Sequence, residues 1–243
     1  MTMLGLGLGL SMFRGIAGAW SPANLPGKIA WYRADSGTNT TTNGGTITSW
    51  ADQYGLQGAF ASAVGTTTYS ASAINSKPGI TFPGTSRLDS AHSAAWELTS
   101  GYSIWLVGKF AALGTFNTLI SNGVATGWDN YVNTSPSIVS SHAGIANSSD
   151  ADAGLAAGTP WVVEITHDGS TLAWFVNGTA RGSASIGSPN TNSLPVSIGQ
   201  RGDAATTMNG SLCEIIALSA RPAGAGMTSL KGYLSDRYAI TIA

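Results

Sequence analysis

Along most of this chain hydrophobic and polar residues alternate with a period of two, the spacing of β-strands whose two faces meet different surroundings. KIAWYRAD is a first strand. YSIWLVGKFA is the strongest candidate for a central one, with Tyr102, Ile104 and Leu106 facing one way and Trp105, Val107 and Lys109 the other. NTLISNG, GWDNYVN and PSIVSSHAGIA continue as short strands broken by Gly, Asn and Pro. From Trp161 the pattern is densest. WVVEITHDGSTLAWFVNG reads as two strands joined at His167-Asp168-Gly169-Ser170, because Asp-Gly supplies the positive φ angles of a tight hairpin. The second of these closes on Asn177-Gly178, and LPVSIG and NGSLCEIIALSARP add further strands, the last ended by Pro222. HSAAWEL reads as a helical turn. Only GMTSLKGYLSDRY changes period: Met227, Leu230, Leu234 and Tyr238 fall at helical spacing and predict a helix over 226–238. About a dozen strands with turns near every ten residues predict an all-β fold, an antiparallel two-sheet β-sandwich of jelly-roll type. Trp105, Trp161, Trp174 and Ile216 are expected in its interior.

The start of the chain carries a different pattern. Leu4, Leu6, Leu8, Leu10 and Met12, followed by Phe13, form an apolar side, with Gly5, Gly7 and Gly9 opposite. Such a strand is unstable alone in water, so residues 1–24 are expected to be an extended arm and linker that docks on a partner, a neighbouring copy included. The sandwich then occupies 25–243. Ala17-x-Ala19 imitates a signal-peptide cleavage site, but no Lys or Arg precedes the apolar run and Arg14 follows it. The run is too short and too rich in Gly to span a bilayer, which argues against a membrane role.

Composition narrows the function. Charged residues are 9% of the 243 and the formal net charge is −1. With no basic run, nucleic acid is not an expected partner, and so bare a surface suits burial in an assembly. The one cysteine, Cys213, lies in an apolar strand and reads as core. The glutamates Glu97, Glu164 and Glu214 do not share the one-strand spacing of a sandwich glucanase, although Glu164 and Glu214 could approach across a face. His92, His142 and His167 are far apart, and His167 sits in a turn where exposure is the default. No nucleophile elbow, zinc helix or phosphate loop occurs, so no catalysis, cofactor or metal is expected. Asp150-x-Asp152 could contribute to a calcium site but reads first as a solvated loop. Arg201-Gly202-Asp203 matches an integrin-binding tripeptide, a very short match in a turn. Trp128, Asn130 and Tyr131 combine aromatic surface with an amide, the mixture that stacks on sugar rings and bonds their hydroxyls, and form a candidate glycan contact.

The series Trp161, Asp168-Gly169, Asn177-Gly178, Ile198-Gly199 and Gly210 through Glu214 to Leu218 resembles the end of a laminin G-like, concanavalin A-like domain. The earlier segments Leu25-Pro26-Gly27 to Trp31, Trp50-Ala51-Asp52 with Gly55, and GITFPGTSRLDS resemble the sandwich domains of tailed-bacteriophage structural proteins, with Pro83 where an aspartate is frequent. The resemblance implies a concanavalin A-like jelly roll. It further implies a non-enzymatic virion protein, on the capsid surface as decoration or cement rather than on the tail. The arm would then anchor on the major capsid protein or other virion subunits, in a homo-oligomer within a symmetric particle. The alternative is a carbohydrate-binding, lectin-like module for a surface glycan, such as a tail receptor-binding component. The same sandwich serves many functions, so the fold alone does not choose.

Overall fold

The computed structural model describes residues 20–113, 116–123, 126–149 and 153–243. The arm residues Leu4, Leu6, Leu8, Leu10, Met12 and Phe13, and the Asp150-x-Asp152 pair, lie outside the described residues. The first strands are β1 (Lys28–Arg33), β2 (Thr46–Ile47), β3 (Ser49–Trp50), β4 (Phe60–Val64), β5 (Thr67–Ile74) and β6 (Lys77–Pro83). There follow β7 (Arg87–Ser90), β8 (Tyr102–Phe110), β9 (Asn117–Ser121), β10 (Trp128–Val132), β11 (Ile138–His142) and β12 (Ile145–Ser148). The last are β13 (Pro160–His167), β14 (Thr171–Val176), β15 (Thr179–Ser185), β16 (Val196–Ile198) and β17 (Asn209–Leu218), before helix α1 (Gly224–Tyr238). Every pairing is antiparallel.

These strands form two packed sheets, the sandwich that the alternation predicts. One has the order β15-β14-β13-β8-β17-β6-β5-β2, with β1 alongside the second half of β17; the other has the order β12-β11-β10-β9-β16-β7-β4-β3. Tyr102, Ile104, Leu106 and Phe110 of β8 and Trp161, Val163 and Ile165 of β13 face the second sheet in one continuous core. Trp174 joins them there, as expected. Gly108 is the gap in the apolar run of β8 because a Cβ would come within 2.4 Å of the Trp161 ring, which fills the space.

The other residues of β8, Trp105 and Val107, are also buried, but against a second core outside the sandwich. Helix α1 lies there, with Leu230, Leu234 and Tyr238 turned inward at successive turns. Trp105 and Ile216 are therefore interior as predicted, beneath the helix instead of between the sheets. A bulge makes this arrangement possible: Leu212 pairs with Gly108 and Glu214 with Val107, so two steps of β17 face one of β8. Leu212 and Ile215 thus both reach the inner core, while Cys213, Glu214 and Ile216 meet the helix side.

Candidate functional site

Helix α1 roofs the nine-stranded sheet, whereas the outer face of the eight-stranded sheet carries polar side chains from strand to strand. Its registers set one row across the sheet: Ala61 opposite Asp89, Asp89 opposite Ser197, Ser197 opposite Ser121, Ser121 opposite Asp129 and Asp129 opposite Ser141. Of this row Ser197, Ser121, Asp129 and Ser141 are buried, and only Ala61 and Asp89 keep appreciable exposure. The Ser197 hydroxyl donates to Asp89 (2.8 Å), and Arg87 pairs with Asp89 at 2.9 Å while donating to the Gly202 carbonyl at 3.1 Å. Arg201 bridges Asp129 (2.9 Å) and, through two nitrogens, Asp203 (2.8 and 3.0 Å). Asp129 is fully buried, and that burial is what raises its pKa, against the pull of the Arg201 guanidinium.

The loop from Gln200 to Thr207 stands on this face and divides it. On one side lies a recess of about 490 Å³, with Leu194 and Pro195 as an apolar wall and Arg87, Ser197, Arg201 and Asp203 among its polar lining. On the other side Phe116 and Tyr131 meet edge to face, centroids 5.7 Å apart at 72°, and Phe116 is 44% exposed. The loop is pinned there by the hydroxyls of Thr118 and Thr206, 2.6 Å apart, and by the Thr207 N–H on the Phe116 carbonyl at 3.1 Å. Aromatic edges beside fixed hydroxyls, carboxylates and guanidiniums can hold the C–H face of a ring while bonding its polar rim.

The structure separates the residues of the predicted glycan contact. Trp128 and Asn130 are buried, Tyr131 half-buried. Trp128 donates from Nε1 to the Trp96 carbonyl (2.7 Å), and Asn130 accepts from the Ser140 hydroxyl (2.5 Å), which in turn accepts from Trp174 Nε1 (2.9 Å). Neither can touch a surface sugar. The reason is the strand period: in β10, residues 128, 130 and 132 share the inner side, leaving Asp129 and Tyr131 outside. Sequence reasoning missed Phe116, Arg87, Asp89 and Asp129 and weighed Arg201 only within its tripeptide; strict alternation within GWDNYVN would have found Asp129.

Other candidates resolve differently. Asp203 of the Arg201-Gly202-Asp203 tripeptide is spent on Arg201 itself. Glu164 and Glu214 do share a face, flanking β8 on the helix side, but both are buried. Arg221 clasps Glu164 through two bonds of 2.6 and 3.0 Å. Glu214 accepts from Trp31 Nε1 (2.6 Å), Tyr233 (2.9 Å) and Tyr238 (2.7 Å). Burial pushes both carboxyls up in pKa. His167, expected exposed in its turn, is buried beside His142. No group of three or more His, Cys, Asp or Glu side chains suited to a metal occurs among the described residues.

Fold and face together define an antiparallel β-sandwich with one sheet roofed by a helix and the other covered in part by the Gln200–Thr207 loop. No protein-family model matches the sequence, and no curated protein matches it. Solved structures do. The binding domain of Paraclostridial mosquitocidal protein 1 superposes with a TM-score of 0.64 at 12% identity, over 87% of this chain and 52% of that one. Botulinum neurotoxin type C, whose cell entry depends on interaction with two ganglioside molecules, gives 0.59 at 14%, over 88% and 53%. Trypanosoma rangeli sialidase in complex with sialic acid gives 0.58 at 11%, over 88% and 33%. The chain thus spans about half of the toxin chains and a third of the sialidase chain. At such identities the likeness is one of fold.

Proposed function

We propose that the protein is a carbohydrate-binding module without catalytic activity, whose glycan lies across the outer face of the eight-stranded sheet. The observation that carries this reading is the Phe116–Tyr131 pair, an accessible aromatic surface next to the Arg201–Asp129 bridge and across the loop from the recess. The aromatic pair takes the apolar face of one sugar, and the recess, with Leu194 and Pro195 on one wall, takes another. The known ligands of similarly folded proteins support it: the neurotoxin type C and sialidase structures name gangliosides and sialic acid. The buried state of Glu164 and Glu214, each held by donors, supports a binding role over hydrolysis. A place on a virus particle belongs to the same proposal through the resemblance of the Trp31, Trp50–Asp52 and Phe82 segments. There a glycan-reading face suits a receptor-binding component that meets other virion subunits through its arm.

A glycan array followed by calorimetry on the best ligand tests the reading. Wild-type protein is expected to bind with a micromolar to millimolar constant, and the double variant Phe116→Ala/Tyr131→Ala to lose about tenfold or more, roughly 1.4 kcal/mol, at an unchanged melting temperature. No binding to any glycan, or full binding by the double variant, overturns it.

A further inference from the structure

Two histidines from opposite sheets meet inside the sandwich. His142 ends β11 and His167 ends β13; their rings lie 4.8 Å apart and nearly perpendicular. Tyr102, at the start of β8, completes the group with its hydroxyl 2.9 Å from His142 Nε2. The other bonds reach one segment of the chain. His142 Nδ1 is 2.7 Å from the Gly187 carbonyl, and His167 Nε2 is 3.0 Å from the Ile186 carbonyl. Since a carbonyl only accepts, each of these nitrogens carries a proton. His142 Nε2 then accepts from Tyr102, and His167 Nδ1 accepts the Gly169 N–H at 3.3 Å. The closed geometry fixes His142 as a neutral tautomer, and every nitrogen of the two rings is engaged.

The segment they hold, residues 186–195, has no regular secondary structure and crosses from β15 in one sheet to β16 in the other. Its far end hangs on Asn122: Asn192 Nδ2 donates to the Asn122 carbonyl (2.8 Å), and Asn122 Nδ2 donates to the Leu194 carbonyl (3.0 Å). Leu194 and Pro195, at the end of this strap, are the apolar wall of the recess. We propose that the strap is an acid-released latch, opened when His142 takes a proton and withdrawing that wall from the glycan recess. Its effect on ligand rests on the carbohydrate-binding reading; the latch itself does not.

The chemistry of the closed state leaves no room for the added proton. It must enter at Nε2, turning Tyr102 into an acceptor whose own proton then has no partner in the core. The titratable groups facing His142 are Tyr102 from β8 and His167 from β13. On neighbouring elements, β10 sets Trp128 opposite, and its Asp129 points to the outer face, bound to Arg201. β12 and the strap bring no charge. On the turn carrying Trp96, His92 and Glu97 pair with each other at 3.2 Å, and Asp168, beside His167, is tied to Ser170 and Thr171. Among the described residues, nothing negative answers an imidazolium. Burial therefore outweighs the help of the Gly187 carbonyl and lowers the His142 pKa from 6.5 to about 4. A depressed histidine favours the closed state above the free value. As pH falls below 6.5 the closed-to-open ratio drops by about tenfold per unit, until the closed form itself titrates near pH 4.

Hydrogen–deuterium exchange on the intact chain without ligand, at pH 7.0, 5.5 and 4.5 and corrected for intrinsic rates, reads the latch directly. Strap peptides are expected to lose up to about 100-fold in protection by the lowest pH, while β8 and β13 keep theirs. His142→Asn retains a donor toward Gly187 without titrating, and its strap protection is expected to be independent of pH. A pH-independent strap in wild type, an unchanged acid response in the variant, or loosening of the whole chain together overturns the latch. NMR titration of wild-type His142 tests it without any substitution. The imidazole is expected to stay neutral well below its free value of 6.5, titrating toward about 4, and one that titrates at the free value overturns the latch. Glycan binding at pH 7 is measured apart from both, so failure of the latch and failure of the binding reading are told apart.

Discussion

Asp52 sets the conformation of an entire loop. Its Oδ1 accepts the N–H groups of Trp31 (2.7 Å) and Tyr54 (3.1 Å), and its Oδ2 those of Leu56 (2.8 Å) and Gln57 (2.9 Å). Trp50, two residues earlier, is buried against Tyr32 and Phe60. The Trp-x-Asp spacing is thus one core anchor and one acceptor for four amides. Asp52→Ala leaves those amides short of a partner and is expected to cost about 2–4 kcal/mol, read as a lower midpoint in chemical denaturation; an unchanged midpoint refutes the role. At this scale the sequence was legible where a residue's own chemistry decides its place, as for Trp161, Trp174 and Cys213. It was illegible where a partner far along the chain decides. His167 follows a strand and opens an Asp-Gly turn, which reads as surface. The strap from Ile186 and the rings of His142 and Tyr102 make that position interior, and none of them is announced by local pattern.

Elements were read best where period and punctuation agreed. The helix expected over 226–238 runs from Gly224 to Tyr238, and its apolar stripe is the buried one. Asn177 and Gly178 both take positive φ, 50° and 78°, in the hairpin turn expected of them. The strand after that turn, β15, went unread because TARGSAS carries no alternation and lies at a sheet edge, where one flank has no partner to select for. β5 escaped for a similar reason, since its Ser, Thr and Ala residues dilute the period. The helix owes its position to Glu214 as much as to its leucines, because Tyr233 and Tyr238 both donate to that buried carboxylate. Tyr238→Phe keeps the ring and removes one donor. We expect a loss of about 1–3 kcal/mol in thermal or chemical unfolding; no loss means that the Tyr238 hydroxyl does not help to hold the helix.

For the molecule as a whole, the decisive asymmetry is between its two outer faces. The nine-stranded sheet is closed by α1 and by Ile240, whereas the eight-stranded sheet carries on its outer side the Asp89–Ser197–Ser121–Asp129 row, buried except at Asp89 and held through Arg201. Which face is roofed could not be read from sequence, since both sheets alternate and only the docking of the helix distinguishes them. The grouping of Trp128 with Asn130 and Tyr131 failed for a different reason, since the strand period turns 128 and 130 inward and 131 outward. β17 is the strand on which this architecture depends, pairing with β8 on one edge and with β6 and β1 on the other. A chain ending before Asn209 is expected to lack cooperative unfolding and near-ultraviolet circular dichroism, and a native-like melt from it would contradict that dependence.

The position of β17 also has a consequence during synthesis. β1, β6 and β8 all leave the ribosome before the strand that joins them, and β8 precedes β17 by about 100 residues, roughly 5–20 s of translation. Through that interval the Ile104–Leu106 and Trp105–Val107 faces and the backbone edges of β8 and β6 have no final partner. Folding of the nine-stranded sheet is therefore a late event, and the nascent chain depends on chaperones or on speed to keep those edges apart.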